Sequence, residues 1–414
     1  MRQRVARRYG LRLAALCGAL ASSSFSLLGC GDDSTPAPAL DASSGPGDAQ
    51  SMPPVSALLD AGSLPTADAA LADAGFLWKL PPGFPVPAVP DDNPMSSEKV
   101  AAGRHVFYDK RLSDNQTFSC ASCHKQELAF ADGKAVGLGS TGQSHTRGSM
   151  SLANVAYSPT LTWANPLMTT LERQAQVPIF GDTPIELGIK SMDEVEQRLR
   201  AVPAYRALFS AAFPDHAEPI TMVNVLRALA SFERTLISGD SPYDRWQAGD
   251  EAAVSDSAKR GHQLFNSERL ECFHCHVGFN LSDHVTWQGQ AFANTPYHNT
   301  GLYDIDGLGS YPAPNTGVHE VTMKERDMGM FKAPTLRNIA LTAPYMHDGT
   351  IATLSDVLDH YAAGGRAKNF RTDALLVGFK LTDQERADML AFLESLTDQA
   401  FVTNPAYADP WPAP

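Results

Sequence analysis

The five-residue pattern Cys-x-x-Cys-His occurs twice in this chain of 414 residues. Its defining residues are Cys120, Cys123 and His124 in the first copy, and Cys272, Cys275 and His276 in the second. Two cysteines three residues apart on a turn of helix reach the two vinyl groups of one porphyrin, and the next histidine reaches the iron from the same side. Each copy therefore predicts one covalently attached c-type haem.

Other uses of paired cysteines explain less of the pattern. A structural disulfide or a thioredoxin-like redox pair needs no histidine after the second cysteine. A zinc site can take two cysteine pairs, but the copies lie far apart in the sequence and their histidines would then be superfluous. Of the six cysteines, only Cys17 and Cys30 lie outside the two copies. We therefore predict two haems per chain, with His124 and His276 as iron ligands.

The first 29 residues have the features of a bacterial secretory signal. They contain five arginines and no acidic residue, and the apolar run at residues 13–21 is too short to span a bilayer. Residues 27–30 resemble the lipobox of bacterial lipoproteins, in which the cysteine is acylated. We predict a signal peptide over residues 1–29 and lipidation of Cys30. The protein would then be anchored to a membrane by lipid alone, on the periplasmic side of the cell envelope. A plain signal peptide with an unrelated cysteine is the alternative.

The composition after the signal predicts a tether followed by globular protein. Residues 30–75 are expected to be disordered, because residues 31–75 hold seven Asp and no aromatic residue, Lys or Arg. The formal net charge of the chain is −13, and the part that follows the arginine-rich signal is more acidic still. Such a chain repels phosphate, so we expect no nucleic-acid partner. A hydrophobic content of 43% with 19% charged residues excludes wholesale disorder and a polytopic membrane protein.

A glycine and a phenylalanine, four residues apart, precede each copy of the motif. They are Gly103 and Phe107 before the first copy, and Gly261 and Phe265 before the second. At this spacing both residues lie on one face of a helix, and the glycine permits close approach of a second helix. The pattern resembles that of c-type cytochrome domains, in which such a helix crosses a C-terminal helix beside the haem, and this resemblance implies the same crossing in each half.

An apolar-periodic segment closes each half of the chain, at residues 223–236 and at residues 383–396. Little of the chain has the alternating pattern of a strand. Each half is similar to a c-type cytochrome. We therefore predict a mainly α fold of two cytochrome c-like haem domains, arranged as an internal duplication with long loops. The predicted domains are residues 76–240 and 241–414, with the turn-rich residues 238–242 at the junction.

Several longer segments carry a resemblance to a known family. They are residues 80–84, 107–113, 238–242, 311–317 and 333–349. Together with the two haem motifs, they resemble the bacterial di-haem cytochrome c peroxidase/MauG family over about residues 90–400, and they are most similar to the MbnH-type enzymes. The resemblance implies an oxidoreductase of the haem peroxidase type. In it, the N-terminal haem reacts with peroxide and the C-terminal haem transfers electrons.

The resemblance also implies a second protein ligand for the C-terminal haem, from a segment downstream of residues 347–349. Conventional peroxidases of the family have a methionine there, and MauG-like enzymes have a tyrosine. Alignment on residues 347–349 without gaps puts Tyr361 at this position, with its neighbour His360 as the rival ligand. A phenolate stabilises high-valent iron, whereas methionine favours ferrous iron.

At the N-terminal haem, resting relatives often carry a distal histidine that must leave before peroxide binds. By resemblance, Ser140 occupies that position here. His145, two residues before Arg147, is the alternative, but we expect it to lie outside the coordination sphere, which leaves the iron open. The distal glutamine and glutamate of the family match Gln174 and Glu186, and we expect them to be catalytic, with Glu186 moving a proton between the peroxide oxygens. A glutamate that caps a helix or forms a salt bridge is the alternative for Glu186.

Two further expectations concern the region between the haems. Trp163 aligns with a tryptophan between the haems of relatives, where an indole shortens the steps of electron transfer; packing in the core is a compatible role. Relatives also hold a calcium ion, and Thr342 and Pro344 match its backbone-carbonyl donors. Gly148 replaces the usual asparagine, however, so the sequence leaves open whether calcium binds here. We further expect His298 to brace a haem propionate.

The resemblance leads to one principal function and one main alternative. The principal hypothesis is a MauG/MbnH-like enzyme, in which hydrogen peroxide forms a high-valent haem pair that oxidises a residue, a tryptophan, of an exported, MbnP-like partner protein. The alternative is a conventional di-haem cytochrome c peroxidase, which reduces hydrogen peroxide to water with electrons from a small cytochrome or cupredoxin. A cytochrome that only transfers electrons is a third class, and an open, peroxide-reactive haem would exclude it.

Overall fold

The computed structural model describes residues 72–73 and 76–412. The predicted signal peptide, the lipidation site Cys30 and nearly all of the predicted tether therefore lie outside the described residues. Every described residue belongs to one unit that spans residues 63–414. At the end of the predicted tether, the strands β1 (Ala72–Asp73) and β2 (Phe76–Leu77) pair in antiparallel fashion.

The described part of the chain is mainly helical, with long loops between short helices. The helices are α1 Ser97–Tyr108, α2 Leu171–Gln174, α3 Gln176–Phe180, α4 Met192–Arg200, α5 Pro203–Ala212, α6 Met222–Arg234, α7 Pro242–Gln247, α8 Asp256–Phe265, α9 His319–Thr322, α10 Leu354–Ala362, α11 Asp383–Ser395 and α12 Gln399–Val402. The two segments predicted from apolar periodicity correspond to α6 and α11. Both predictions are confirmed to within two residues at each end.

Side-chain caps define where the principal helices begin. The hydroxyl of Ser96 accepts a hydrogen bond from the backbone N–H of Lys99 at the start of α1, and Ser255 does the same with Ala258 at the start of α8. Each hydroxyl satisfies one of the amide donors that have no partner within the first turn of a helix. These caps fix where the helix that precedes each haem motif starts.

The helix before each motif crosses the helix that closes the same half, and a glycine makes both crossings close. A Cβ atom on Gly103 of α1 would lie 1.9 Å from the carbonyl oxygen of Ala228 in α6. A Cβ atom on Gly261 of α8 would lie 2.0 Å from the carbonyl oxygen of Asp388 in α11. No side chain larger than hydrogen fits at either position, which is the reason the sequence needs glycine there.

Aromatic side chains fill the space behind each crossing. In the first half, Phe107 packs against Phe130 and Phe232, with ring centroids 5.9 and 5.2 Å apart. In the second half, Phe265 packs against Phe392 at 5.1 Å. All five rings are almost completely buried, so their burial contributes strongly to the stability of the helix pairs that position the motifs.

The last described segment of the chain returns to the first half. Phe401 packs against Phe130, and the hydroxyl of Tyr407 donates to the carbonyl oxygen of Thr235 at 2.7 Å. The indole of Trp411 donates to the carbonyl oxygen of His105 at 3.1 Å. The predicted boundary near residue 240 stays a prediction, and residues 399–411 pack across it.

Candidate haem and peroxide site

The first haem motif is a single tight turn. Cys120–Ser122 forms a turn of 3-10 helix, and the amide of His124 donates to the carbonyl oxygen of Cys120 at 2.9 Å. The Nδ1 atom of His124 lies 2.8 Å from the carbonyl oxygen of Phe130, so Nδ1 carries the proton. Burial lowers the pKa of His124. The ring is therefore neutral and offers the lone pair of Nε2, as an iron ligand must.

The second motif repeats this geometry. Cys272–His274 forms the turn, and the amide of His276 donates to the carbonyl oxygen of Cys272 at 3.1 Å. Its Nδ1 atom donates to the carbonyl oxygen of Leu281 at 3.1 Å, and burial lowers the pKa of the ring. In both motifs a backbone carbonyl sets the tautomer and the orientation of the histidine. This is the usual way a protein prepares an imidazole ligand.

The four motif cysteines form no disulfide with one another, which opposes the disulfide alternative. Burial raises the pKa of Cys123 to about 11 and that of Cys272 to about 12, so neither is a reactive thiolate of the thioredoxin type. Among the described residues, the clusters of side chains able to hold a metal do not combine the two cysteine pairs. The zinc alternative therefore has no support in the structure.

One cavity of about 750 Å³ receives both motifs. The residues of the two motifs that line it are Cys120, Cys123, His124, Cys272, Cys275 and His276. Each half thus contributes two thiols and one neutral imidazole to the same cavity. This donor set fits one thioether-linked, histidine-ligated haem in each half.

Glu186 and Gln174 both line this cavity, and the carboxylate of Glu186 interacts electrostatically with His124 of the first motif. The Oε1 atom of Glu186 lies 2.9 Å from Nε2 of His145, and the side chains of the two residues are 29% and 31% exposed. The pair therefore lies at the border between the cavity and solvent. Ser140 does not face the cavity, and its amide donates to the carbonyl oxygen of Glu186 at 2.7 Å. A carboxylate and an imidazole in contact form an arrangement suited to proton transfer.

Trp163 also lines the cavity and is fixed at both its side chain and its backbone. Its indole Nε1 donates to the carbonyl oxygen of Gly148 at 3.0 Å, and its own carbonyl oxygen accepts from the amide of Lys332 at 3.1 Å. The amide of Gly148 in turn donates to the carbonyl oxygen of His347 at 3.0 Å. Gly148, the position that departs from the family pattern, is thus a backbone link between Trp163 and the segment that precedes α10.

Tyr361 and His360 point in different directions from α10. Val357, Leu358 and Tyr361 line the cavity, as expected for one helical face, whereas His360 does not. The Nδ1 atom of His360 instead accepts from the amide of Arg366 at 3.2 Å. Burial raises the pKa of the Tyr361 phenol, with a further contribution from the nearby thiols of Cys275 and Cys272. Tyr361 therefore lies near the second motif.

The imidazole ring of His298 contacts two carboxylates of the protein. Its Nε2 and Nδ1 atoms lie 2.8 Å from the carboxylates of Asp283 and Asp373. Burial opposes protonation of this ring, but the two carboxylates and Cys275 raise its pKa to about 12. The ring is therefore an imidazolium cation beside the second motif, and the expected contact with a propionate stays a prediction. Thr342 and Pro344 line the cavity, and the calcium ion likewise stays a prediction.

Glu233 is a buried residue that lines the cavity and was not predicted from the sequence. It lies at the end of α6, is 6% exposed, and its Oε2 atom has no hydrogen-bond partner among the described residues. Burial raises its pKa to about 8. Its position four residues after Leu229, on the apolar face of α6, was a usable signal, because an acid there must be buried.

A buried polar network joins the two halves next to Trp163. The Nζ atom of Lys332 donates to the hydroxyl of Ser158 at 2.9 Å and to the carbonyl oxygen of Thr160 at 3.0 Å. The hydroxyl of Thr160 lies 2.8 Å from Nε2 of His284 and 2.7 Å from the hydroxyl of Tyr297. Burial lowers the pKa of Lys332 to about 7. No local sequence pattern predicts these contacts between residues that are far apart in the chain.

In the part of the chain that the structure describes, no helix combines the length and the apolar character needed to cross a membrane.

Proteins that are similar in sequence to this chain are di-haem proteins, as the two motifs in the cavity predict. The family model described as di-haem cytochrome c peroxidase matches residues 97–252. The methylamine utilization protein MauG of Methylorubrum extorquens is 38% identical over 349 residues, which cover 82% of this chain and 90% of the relative. The cytochrome-c peroxidase IdrP1 of Denitromonas iodatirespirans is 37% identical over 358 residues, which cover 80% and 89%.

Similarity to a solved structure also supports membership of this family. It is that of a MauG-like protein associated with microbial copper homeostasis, which is 48% identical, with a TM-score of 0.80, over 81% of this chain and 100% of that one. The relatives are di-haem oxidoreductases that act with hydrogen peroxide, and the donor set of the cavity fits two haems. The chain therefore belongs to the di-haem cytochrome c peroxidase/MauG family and is a c-type di-haem oxidoreductase that uses hydrogen peroxide.

Proposed function

We propose that this protein is a MauG-like, and more narrowly an MbnH-like, enzyme that uses hydrogen peroxide to oxidise a tryptophan of an exported partner protein. The position of Tyr361 carries the proposal. It lies on the cavity face of α10, near Cys272 and Cys275, while His360 is turned towards Arg366. A tyrosine at this place is the feature by which MauG-like enzymes differ from conventional peroxidases in the family resemblance.

Haems bound at the two motifs would supply the redox chemistry of the reaction with peroxide. The chain supplies the proton chemistry around the first haem. Glu186, in contact with Nε2 of His145 at 2.9 Å, holds and moves the proton that must pass from one peroxide oxygen to the other. The amide of Gln174, in the same cavity, orients the peroxide by hydrogen bonding.

Trp163 supplies a route between the two haem sites. Its indole lies in the shared cavity, and its orientation is fixed by the hydrogen bonds to Gly148 and from Lys332. An indole loses an electron more easily than an aliphatic side chain or a phenyl ring. We propose that this ring would carry electrons between haems bound at the two motifs, and that Tyr361 would hold the iron of the second, where a phenolate would favour a high oxidation state.

The paired close contacts at Gly103 and Gly261 support an internal duplication of a cytochrome c-like domain. We propose an exported protein that is held on the periplasmic side of the envelope through Cys30. The MauG-like protein associated with microbial copper homeostasis is 48% identical to this chain, which supports the MauG-like assignment, and we propose an exported, MbnP-like protein as the partner.

A conventional peroxidase is the second candidate function, and a specific observation favours it. The cytochrome-c peroxidase IdrP1 is 37% identical to this chain, nearly as similar as MauG at 38%. In that case a small cytochrome or cupredoxin would supply electrons for the reduction of peroxide to water.

The reaction of the fully ferric protein with one equivalent of hydrogen peroxide separates the two candidates. We expect a rapid change in the absorption of both haems without prior reduction, and an oxidised state that persists without a donor. A reaction that requires prior one-electron reduction, followed by rapid turnover with a reduced small cytochrome, would instead establish the conventional peroxidase.

A further inference from the structure

A chain of aromatic rings connects the second haem motif to the protein surface. The ring of His276 lies 6.4 Å from that of Phe265, which lies 5.1 Å from Phe392. Phe392 lies 5.4 Å from His262, and His262 lies 5.1 Å from the indole of Trp246. These are distances between ring centroids, so each ring is in contact or nearly in contact with the next.

The outer end of this chain contains the rings that are easiest to oxidise. Trp246 and Tyr243 lie on one short helix, α7, with ring centroids 6.3 Å apart, and both are partly exposed. Tyr243 also contacts His262 and Phe392, at 5.7 and 5.8 Å. The two phenylalanines are buried and resist oxidation. They therefore serve as a packed medium between an oxidisable surface pair and the ligand of the haem.

Trp246 also has a partner for its proton. Its Nε1 atom donates to Oε2 of Glu251 at 3.2 Å, and the same oxygen lies 2.8 Å from Nζ of Lys259. The bonds from Lys259 and from the indole lower the pKa of Glu251, so the carboxylate is ionised at neutral pH. An anion at this position stabilises positive charge on the indole and accepts its proton.

The other tryptophans outside the cavity lack such a connection in the described part of the chain. The ring contact of Trp287 leads to Phe279 and from there to Tyr157 and Phe84. The ring contacts of Trp411 are with His105 and Tyr205, and the ring contact of Trp78 is with Phe76. None of these three routes reaches His124 or His276, so the route from Trp246 is not a general consequence of aromatic packing.

We propose that Trp246 is the surface relay through which an external one-electron donor reduces the oxidised haem pair, a step that rests on the proposed function. Trp246 loses one electron through the ring chain to the haem pair, and its N–H proton moves to Glu251. The donor then returns one electron to the indole, and the proton returns from Glu251. Two such cycles deliver the two electrons that one hydrogen peroxide molecule has withdrawn.

The test uses the full-length protein with both haems, treated with one equivalent of hydrogen peroxide and no donor. In the wild-type protein, the oxidised state should be lost by oxidation of the chain itself, and peptide mass spectrometry should find oxygen added at Trp246. In Trp246→Phe this loss should slow by about tenfold or more, the effect of roughly 1.4 kcal/mol in an activation barrier. The rate at which the oxidised state forms should not change.

Two matched variants complete the design. Trp287→Phe removes an indole outside the route and should behave as the wild-type protein. Glu251→Gln keeps every ring in place but removes the proton acceptor, and it should also slow the loss of the oxidised state. This variant covers the case in which Trp246→Phe does not fold.

Unchanged decay in both Trp246→Phe and Glu251→Gln, or oxidation at Trp287 rather than Trp246, would overturn the relay. Those outcomes leave the formation of the oxidised state intact. If the wild-type protein forms no persistent oxidised state, the proposed function itself fails, and the two failures are thereby distinguished.

Discussion

The imidazole Nε2 of His145 lies 2.9 Å from the carboxylate Oε1 of Glu186, at the border of the cavity that both haem motifs line. The two residues are 41 positions apart in the chain. Their contact places a proton donor and a proton acceptor together next to the first haem motif. It also supports the expectation that His145 lies outside the coordination sphere of the iron, because its Nε2 atom already has a partner in the protein.

Glu186→Gln should slow the reaction with peroxide without preventing haem attachment. The amide preserves the size of the side chain but cannot carry the proton, so formation of the oxidised state should slow by roughly 10²–10⁴. Stopped-flow absorption after one equivalent of peroxide measures this rate. Glu194→Gln, which alters an exposed ion pair with Arg198 on α4, is the matched control. A wild-type rate in Glu186→Gln would remove this residue from the catalytic machinery.

Trp163→Phe should impair a later step, in which the two haems share the oxidising equivalents. The phenyl ring fills the space but loses the hydrogen bond to the carbonyl oxygen of Gly148 and cannot be oxidised readily. We expect the first haem to react with peroxide at the wild-type rate, while the spectrum of the second haem stays ferric. If both haems still change together, the oxidising equivalents are shared by a route that does not use this indole.

Each motif should attach its haem independently. Cys123 and Cys275 lie in separate turns, in the two halves of the protein. Cys123→Ser should therefore impair attachment at the first site alone, and Cys275→Ser at the second alone. A pyridine haemochrome assay should give two haems per wild-type chain and a reduced count in each variant. One haem or none in the wild-type protein would contradict the assignment of the motifs.

The buried Glu233 should make stability depend on pH. Burial raises its pKa from the ordinary value of 4.5 to about 8, so the folded protein binds this proton more tightly than the unfolded chain. Its contribution is complete below pH 4.5 and is lost as the pH rises through about 8. Glu233→Gln removes this dependence.

Denaturant unfolding of Glu233→Gln and wild type at several pH values between 4.5 and 8 measures the effect. The variant should gain stability relative to wild type as the pH rises, by at most about 1.4 kcal/mol per pH unit. Glu194→Gln again serves as the control and should show no such trend. Parallel stability curves for Glu233→Gln and wild type would show that the folded and unfolded states bind this proton equally.

Local features were predictable from the sequence because they depend on short spacings. The haem motifs, the glycines at the helix crossings and the helices α6 and α11 all follow from residues within a few turns of one another. The pairing of His145 with Glu186 and the contacts of Lys332 with Ser158 and Thr160 join residues 41 or more positions apart. Such contacts are set by how the two halves fold together, which no periodicity encodes.

The contacts of the segment after α11 were also not predictable from the sequence. Residues 399–411 have no pattern that assigns them to the first half, yet Tyr407 and Trp411 bond to Thr235 and His105. Glu233 is the intermediate case, because its place on an apolar helix face was visible in the sequence. Only the structure shows that this residue lines the haem cavity.

The ligands of the two haems in the resting protein decide most directly whether it is a MauG-like enzyme. Electron paramagnetic resonance of the ferric protein should show one high-spin haem with an open site and one low-spin haem ligated by His276 and Tyr361. Tyr361→Met should change the low-spin signal and make the second haem easier to reduce, while His360→Gln should leave both unchanged. Only low-spin signals of bis-histidine or histidine–methionine type in the wild-type protein, with no response to Tyr361→Met, would contradict the account.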